Sequence, residues 1–305
     1  MGHGCRYRKH ESHASADDET VGTGNRFDDG GSGTRRQPDM SGDPLSLTVG
    51  VATDVGRVRD HNEDTAMAHG TVFVVADGMG GHAAGEVASR IAADTMRELA
   101  DRPQPRAEDV MSQLELANQR ILASAARHPE QAGMGTTAAG LAVVTSGGSD
   151  RWAVFNVGDS RVYRYLDGVL TLMTVDHSHV RELLETGAIT EAEMAWHPLR
   201  NVITRSLGTK PMGVPDIWVF APCPGERFLI CSDGLSNELP ADQIRDLIEA
   251  NLTAQAAADA LVRAAVMAGG RDNVTAVVVG LGRGRVDSDA DTNTDTSADT
   301  GTASK

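Results

Sequence analysis

Residues 71–86 read TVFVVADGMGGHAAGE. A valine-rich run ends on Asp77-Gly78, and Gly80, Gly81 and Gly85 follow at once. A buried strand that runs into a carboxylate must bring that charge to water at a sheet edge or pair it with a cation, because an isolated buried carboxylate is prohibitively costly. The glycines let backbone approach closely whatever sits there. A second stretch, FLICSDG (228–234), repeats the plan of apolar strand, small residue and Asp-Gly.

Other short β-branched or aromatic runs bounded by Gly, Asp or Pro lie around these two. They are 45–53, 136–145, 151–157, 161–166, 217–222 and 274–280, and with 71–76 and 227–232 they predict eight strands. Helical spacing of apolar residues covers 84–100 and 107–127, and a second helical block covers 240–268. The connections GGSD (147–150), GDS (158–160) and LDG (166–168) are too short for parallel crossovers, so neighbouring strands are expected to be antiparallel. Helices in two blocks around such strands predict an α+β fold, a four-layer α-β-β-α sandwich of two antiparallel sheets flanked by helices.

The chain has 305 residues, of which 40% are hydrophobic, and a formal net charge of −15. Residues 1–44 and 284–305 are polar and nearly free of aliphatic side chains and are expected to be disordered tails. The folded domain is expected over 45–283. The tails carry −2 and −3 of the charge, leaving −10 on that domain, which argues against general nucleic-acid or anionic-membrane binding. No apolar run approaches the ~18 residues of a membrane span. Cys5, Cys223 and Cys231 support neither a zinc site nor a disulfide framework, and a cytoplasmic protein is expected. The D-x-D-x-D start at 287–291 lacks the glycine and the final glutamate of a calcium loop.

Each acidic candidate abuts a strand. Asp77 and Asp233 follow strands, Asp159 sits in the tight turn VGDSR, Asp272 precedes the strand VTAVVVG, and Glu63 and Asp64 follow the first strand in RDHNED. Any one alone reads as a turn residue. Gathered at one edge they form an oxygen-only set that selects hard ions, Mg²⁺ or Mn²⁺. Two such ions bridged by a carboxylate suit phosphoester hydrolysis. Arg59, four residues before Glu63, is the candidate phosphate binder.

The motifs GRVRDHNED (56–64), ADGMGGHAAGE (76–86), GMGTT (133–137), VGDSRVYR (157–164), CSDGLSN (231–237) and GGRDNVT (269–275) stand in the order seen in metal-dependent serine/threonine protein phosphatases of the protein phosphatase 2C type, which the chain resembles, especially bacterial members. The resemblance implies a dinuclear Mn²⁺ or Mg²⁺ centre with a weaker third site, and attack on phosphoserine or phosphothreonine by a bridging hydroxide. By the same resemblance Asp77 is the bridging ligand, Gly78 offers its carbonyl, Asp233 and Asp272 bind one ion and Glu63 reaches the other. Asp64 orders metal-bound water, Arg59 binds phosphate, Asp159 joins Asp233 in the third site, and 176–208 is a flap beside the cleft. The implied partners are phosphorylated proteins, including a Ser/Thr kinase, and a monomer is expected. Met79 stands where eukaryotic members have a general-acid His, so the resemblance names no side chain for that step. A regulatory homologue acting on an anti-sigma antagonist phosphoserine uses the same chemistry.

Other readings fare worse. Gly78, Gly80 and Ala83 fit a dinucleotide fingerprint, but Asp77 would face the pyrophosphate and Glu98 falls inside a helix. A cysteine phosphatase needs Arg six residues after its Cys, where Leu229 and Asn237 stand. His177-x-His179 lacks a third ligand nearby and reads as solvated, and a binding-only relative would lack a core carboxylate.

Overall fold

A computed structural model describes residues 45–80, 84–194 and 196–282. The expected tails 1–44 and 284–305, with Cys5 and His82, lie outside the described residues. The strands are β1 (Leu47–Asp54), β2 (Asp64–His69), β3 (Val72–Met79), β4 (Gly135–Thr136), β5 (Ala138–Ser146), β6 (Ser149–Val157), β7 (Arg161–Leu166), β8 (Val169–Leu172), β9 (Asp216–Phe220), β10 (Arg227–Cys231) and β11 (Val274–Leu281). The helices are α1 (Ala84–Arg97), α2 (Ala107–Arg127), α3 (His179–Glu185), α4 (Glu191–Met194), α5 (Asp233–Ser236), α6 (Ala241–Ala250) and α7 (Ala254–Ala268).

One sheet runs β1-β11-β10-β7-β8 and the other β2-β3-β5-β6-β9, with β4 beside β3. Every paired strand is antiparallel. The expected layers are present, and β3 shows why. Phe73 and Val75 face the other sheet, against Phe228, Ile230, Val277 and Val279. Val72, Val74 and Ala76 face α1 and α2, against Ala88, Ala92, Met96, Leu114 and Ile121. A strand buried on both faces loses the apolar-polar alternation of a half-solvated one. β11 behaves alike: Val277 and Val279 face inward, while Val274, Ala276 and Val278 pack on α7 through Ala258, Leu261 and Ala265.

Three readings are corrected. β2 and β8 were not expected as strands: DTAMAH and VLTL are short, and each forms an edge held by a hairpin to a stronger neighbour. The block 240–268 breaks into α6 and α7, with Thr253 capping α7 by accepting from the Ala256 N–H. The turn 158–160 does not join neighbouring strands. It carries the chain from β6 in one sheet to β7 in the other, whereas 147–148 and 167–168 close true hairpins. Residues 55–63 make the same crossing between β1 and β2. Both crossings lie where β1, β3, β6 and β10 end and β2, β5, β7 and β11 begin, which fixes one edge of the sandwich as the meeting place of the acidic residues.

Candidate metal centre

Asp64 and Asp77 stand opposite each other in the β2–β3 ladder. Asp77 is held through its backbone: its N–H donates to Thr137 Oγ1 at 2.9 Å, and its carbonyl accepts from Thr136 Oγ1 at 2.9 Å and from the Thr137 N–H at 2.9 Å. Its carboxylate is left to the edge. Gly78 answers the opening puzzle of the sequence, because a Cβ there would lie 2.2 Å from the Gly85 carbonyl oxygen and 2.5 Å from that of Glu63. The same closeness brings Gly85 against the Glu63 carboxylate, where a Cβ would sit 2.8 Å from Oε1. Three bare backbone segments thus converge where Asp77 emerges.

Two serine hydroxyls stitch the sheets together at this edge. Ser232, directly before Asp233, accepts from the Thr275 N–H at 3.0 Å and donates to Asp64 Oδ2 at 2.7 Å. Ser160, directly after Asp159, lies 2.8 Å from Thr137 Oγ1. Asn273 fastens the loop that carries Arg59 and Glu63: its Nδ2 donates to the carbonyls of Val55 and His61, both at 2.9 Å, and its Oδ1 accepts from the Glu63 N–H at 2.9 Å. None of these was singled out from the sequence. Each adjoins a predicted carboxylate inside a quoted motif, which is the signal that could have found it.

The electrostatics record an excess of negative charge. Burial pushes the Asp64 carboxyl up to about 7, opposed by the Thr275 and Ser232 hydroxyls and reinforced by the charges of Asp233 and Asp272. Burial and then the charges of Asp64, Asp233, Asp159 and Asp272 hold Asp77 well above the usual carboxylate range. Asp159 is pushed up to about 7 by burial and then by Asp233 and Asp176. Burial and then the charge of Asp272 raise the Asp233 carboxyl, partly offset by its neighbours Asp77, Arg161 and Asn237. Arg161 brings positive charge alongside: it is mostly buried, and its Nη2 lies 2.6 Å from Asp176 Oδ2.

Asp64 Oδ1 and Asp159 Oδ1 are buried without a hydrogen-bond partner. Such orphaned carboxylate oxygens are rare and point to an ion or a water as their partner. Among the described residues, no three His, Cys, Asp or Glu side chains stand together as a ready cage for an ion. Two of the acidic groups are engaged by neighbours: Asp272 Oδ2 accepts from Arg59 Nη2 at 2.8 Å and Asp233 Oδ2 accepts from Asn237 Nδ2 at 3.1 Å. The all-oxygen donor set still fits hard ions that retain several waters. The structure therefore brings Asp64, Asp77, Asp159, Asp233 and Asp272 into mutual electrostatic range, sets Glu63 beside Gly78 and Gly85, and pairs Arg59 with Asp272.

His177 corrects the reading of a solvated histidine. It is buried; its Nδ1 accepts the Gly158 N–H at 3.1 Å, and its Nε2 lies 3.2 Å from Asp216 Oδ2 and 3.1 Å from Arg205 Nη1. Burial raises Asp216, but the His177 hydrogen bond and Arg205 outweigh it, and its pKa falls below the ordinary value. His177 thus braces the turn that carries Asp159. Cys231, buried, has its thiol pushed up to about 12 by burial, which removes it as a nucleophile.

Two antiparallel sheets between helix layers, with carboxylates gathered at one sheet edge, define a class of α+β sandwich with an acidic edge. Residues 58–266 match the family model described as Protein phosphatase 2C, and the chain belongs to that family. It is 37% identical over 238 residues to serine/threonine protein phosphatase PstP of Mycobacterium tuberculosis, covering 77% of this chain and 45% of that protein, so the chain spans less than half that relative's length. It is 36% identical over 245 residues to serine/threonine phosphatase stp of Listeria monocytogenes, covering 74% of this chain and 93% of that one. The structure is similar to that of the PstP catalytic domain in complex with 2 manganese ions, with a TM-score of 0.71 and 33% identity, covering 78% of this chain and 100% of that one. It is also similar to the phosphatase MsPP of Mycobacterium smegmatis in complex with cacodylate, with a TM-score of 0.70 and 36% identity, covering 79% and 100%. Among the described residues no helix is long and apolar enough to cross a membrane.

Proposed function

We propose that the chain is a metal-dependent phosphatase that hydrolyses phosphoserine and phosphothreonine on proteins, with a Ser/Thr kinase among its substrates. The observation that carries this reading is the convergence of five aspartates at one sheet edge, two with a buried oxygen that nothing satisfies. Family membership and the manganese-bound relative support the same reading. Asp77, the Gly78 carbonyl and Glu63 on the six-stranded sheet, with Asp233 and Asp272 on the other, would hold two Mn²⁺ or Mg²⁺ ions, and Asp159 with Asp233 a weaker third. When bound, such a pair supplies a hydroxide nucleophile at neutral pH and neutralises the phosphoryl oxygens.

The protein's own groups do the rest. Asp64, fixed by Ser232, presents its free Oδ1 to orient water at the edge. Arg59 is half exposed in its ion pair with Asp272, and exposed pairs of this kind are worth about 0–1 kcal/mol, so the guanidinium can exchange that partner for a phosphate dianion. The rigid strand ends keep these groups in place without reorganisation during the reaction. The purified protein should hydrolyse p-nitrophenyl phosphate and phosphothreonine peptides with Mn²⁺ or Mg²⁺ and lose that activity in chelator. Asp233→Asn should remove most of it and weaken Mn²⁺ binding in calorimetry. Turnover that survives chelation, or Mn²⁺ binding unchanged in the variant, would overturn the proposal.

A further inference from the structure

The stretch 196–215 contains no Asp or Glu and holds Arg200, Arg205 and Lys210, in a chain whose formal charge is −15. It is joined to both halves of the acidic edge. The Leu207 N–H donates to the Thr136 carbonyl at 2.9 Å and the Thr136 N–H donates back at 3.1 Å, on the residue whose hydroxyl holds Asp77. The Thr204 N–H donates to the His177 carbonyl at 2.8 Å, and His177 in turn holds the turn of Asp159. Arg205 is engaged inward with Asp216 and the Val214 carbonyl. Arg200 and Lys210 are exposed and make no ion pair among the described residues. Apolar side chains accompany them: Trp196 is 87% and Val214 70% exposed, with Leu199 and Val202 also open to water.

A cationic, apolar rim beside an acidic centre is complementary to an anionic, partly apolar chain, and exposed aromatic and basic residues together are the composition of a recognition surface. We propose that residues 196–215 form a docking surface for the polypeptide flanking the phosphorylated residue, and that it selects phosphoproteins with acidic and apolar residues beside the phosphosite. This rests on the phosphatase reading of the neighbouring centre and adds to it the chemistry of the substrate.

The test uses the full chain and phosphothreonine peptides of one length, flanked by Glu and Leu, by Lys and Leu, or by Ala, with p-nitrophenyl phosphate as a substrate that has no flanks. Acidic peptides should show kcat/KM about fivefold above neutral ones, the scale that two exposed ion pairs supply, and the preference should shrink with added salt. The double charge reversal R200E/K210E should invert that order, and Trp196→Ser should weaken binding of all leucine-containing peptides, with p-nitrophenyl phosphate turnover unchanged in both. Fluorescence anisotropy of the same labelled peptides gives Kd without turnover, so a preference seen there sustains the surface even if no phosphoester is cleaved. Equal Kd for acidic and basic peptides, or a preference that survives charge reversal, overturns the inference. Inhibition of the wild type but not of R200E/K210E by a free peptide of residues 287–299 would make the chain's own acidic segment the occupant and also overturn it.

Discussion

Replacing Asp64 by Asn should make the metal-free protein more stable. The Asp64 carboxyl is moved from 3.8 to about 7, chiefly by burial. A folded-state pKa above the unfolded one means the native state binds the extra proton between those values, so stability falls as pH rises through that window and the full loss is present above it. At about 1.4 kcal/mol per pH unit, ionising Asp64 costs the folded protein at most on the order of 4 kcal/mol at pH 8, and roughly a third of that at pH 5. Asn is nearly isosteric and carries no charge. Its Oδ1 can still accept from Ser232, and its amide hydrogens would occupy the place of Oδ1, which has no partner and lies in the field of Asp77 and Asp233.

Thermal melts of both proteins in chelator should therefore place the variant higher at pH 8, by roughly 8–16 °C at that ceiling, given about 2–4 °C per kcal/mol for a domain of this size. The gap should fall to about a third at pH 5. Saturating Mn²⁺ should reverse the order, because the wild type gains more from a cation beside its carboxylates. A variant that melts at or below the wild type in chelator at pH 8, or a gap that does not depend on pH, would refute the view that uncompensated charge strains this edge.

Thr137→Val removes the acceptor of the Asp77 N–H and the partner of Ser160 together, and should cost about 1–3 kcal/mol in urea melts; Mn²⁺ affinity by calorimetry should fall with it and recover in Thr137→Ser. Gly78→Ala should abolish Mn²⁺ binding or folding altogether, read by calorimetry and circular dichroism, because its Cβ would overlap the Gly85 carbonyl at 2.2 Å. Glu226→Ala would leave Arg164, the Trp152 Nε1–H and the Cys223 N–H without their buried acceptor, and should destabilise the domain by about 3–5 kcal/mol in the same melts. That network lies at the sheet edge opposite the acidic one, so p-nitrophenyl phosphate turnover below the melting transition should be unchanged.

The core of the fold was legible because β3, β10 and β11 are buried on both faces and so read as unbroken apolar runs between Gly and Asp. β2 and β8 escaped because edge strands need little hydrophobicity of their own once a hairpin fixes their register. The candidate carboxylates could be named one by one, since each interrupts an apolar pattern that cannot tolerate a buried charge. His177, Thr137, Ser160 and Asn273 could not. Their importance lies in hydrogen bonds between residues 19, 60, 23 and 210 positions apart, and no local pattern encodes such pairs.

The crossing turn at 158–160 shows why position along the chain and role in the site become linked. A hairpin returns the chain into its own sheet, so its tip serves one strand pair. A crossing between sheets must pass over the open edge of the core, where main-chain polar groups lack a ladder and need side-chain or solvent partners. Gly158, Asp159 and Ser160 supply the three answers: the Gly158 N–H goes to His177, Ser160 meets Thr137 of the opposite sheet, and Asp159 faces the shared acidic edge with one oxygen unanswered. The 55–63 crossing solves the same problem through Asn273 and presents Arg59 and Glu63. Charged side chains collect where the sandwich changes sheets because its backbone and its charges both need outside partners there, and a bound cation would answer both needs at once.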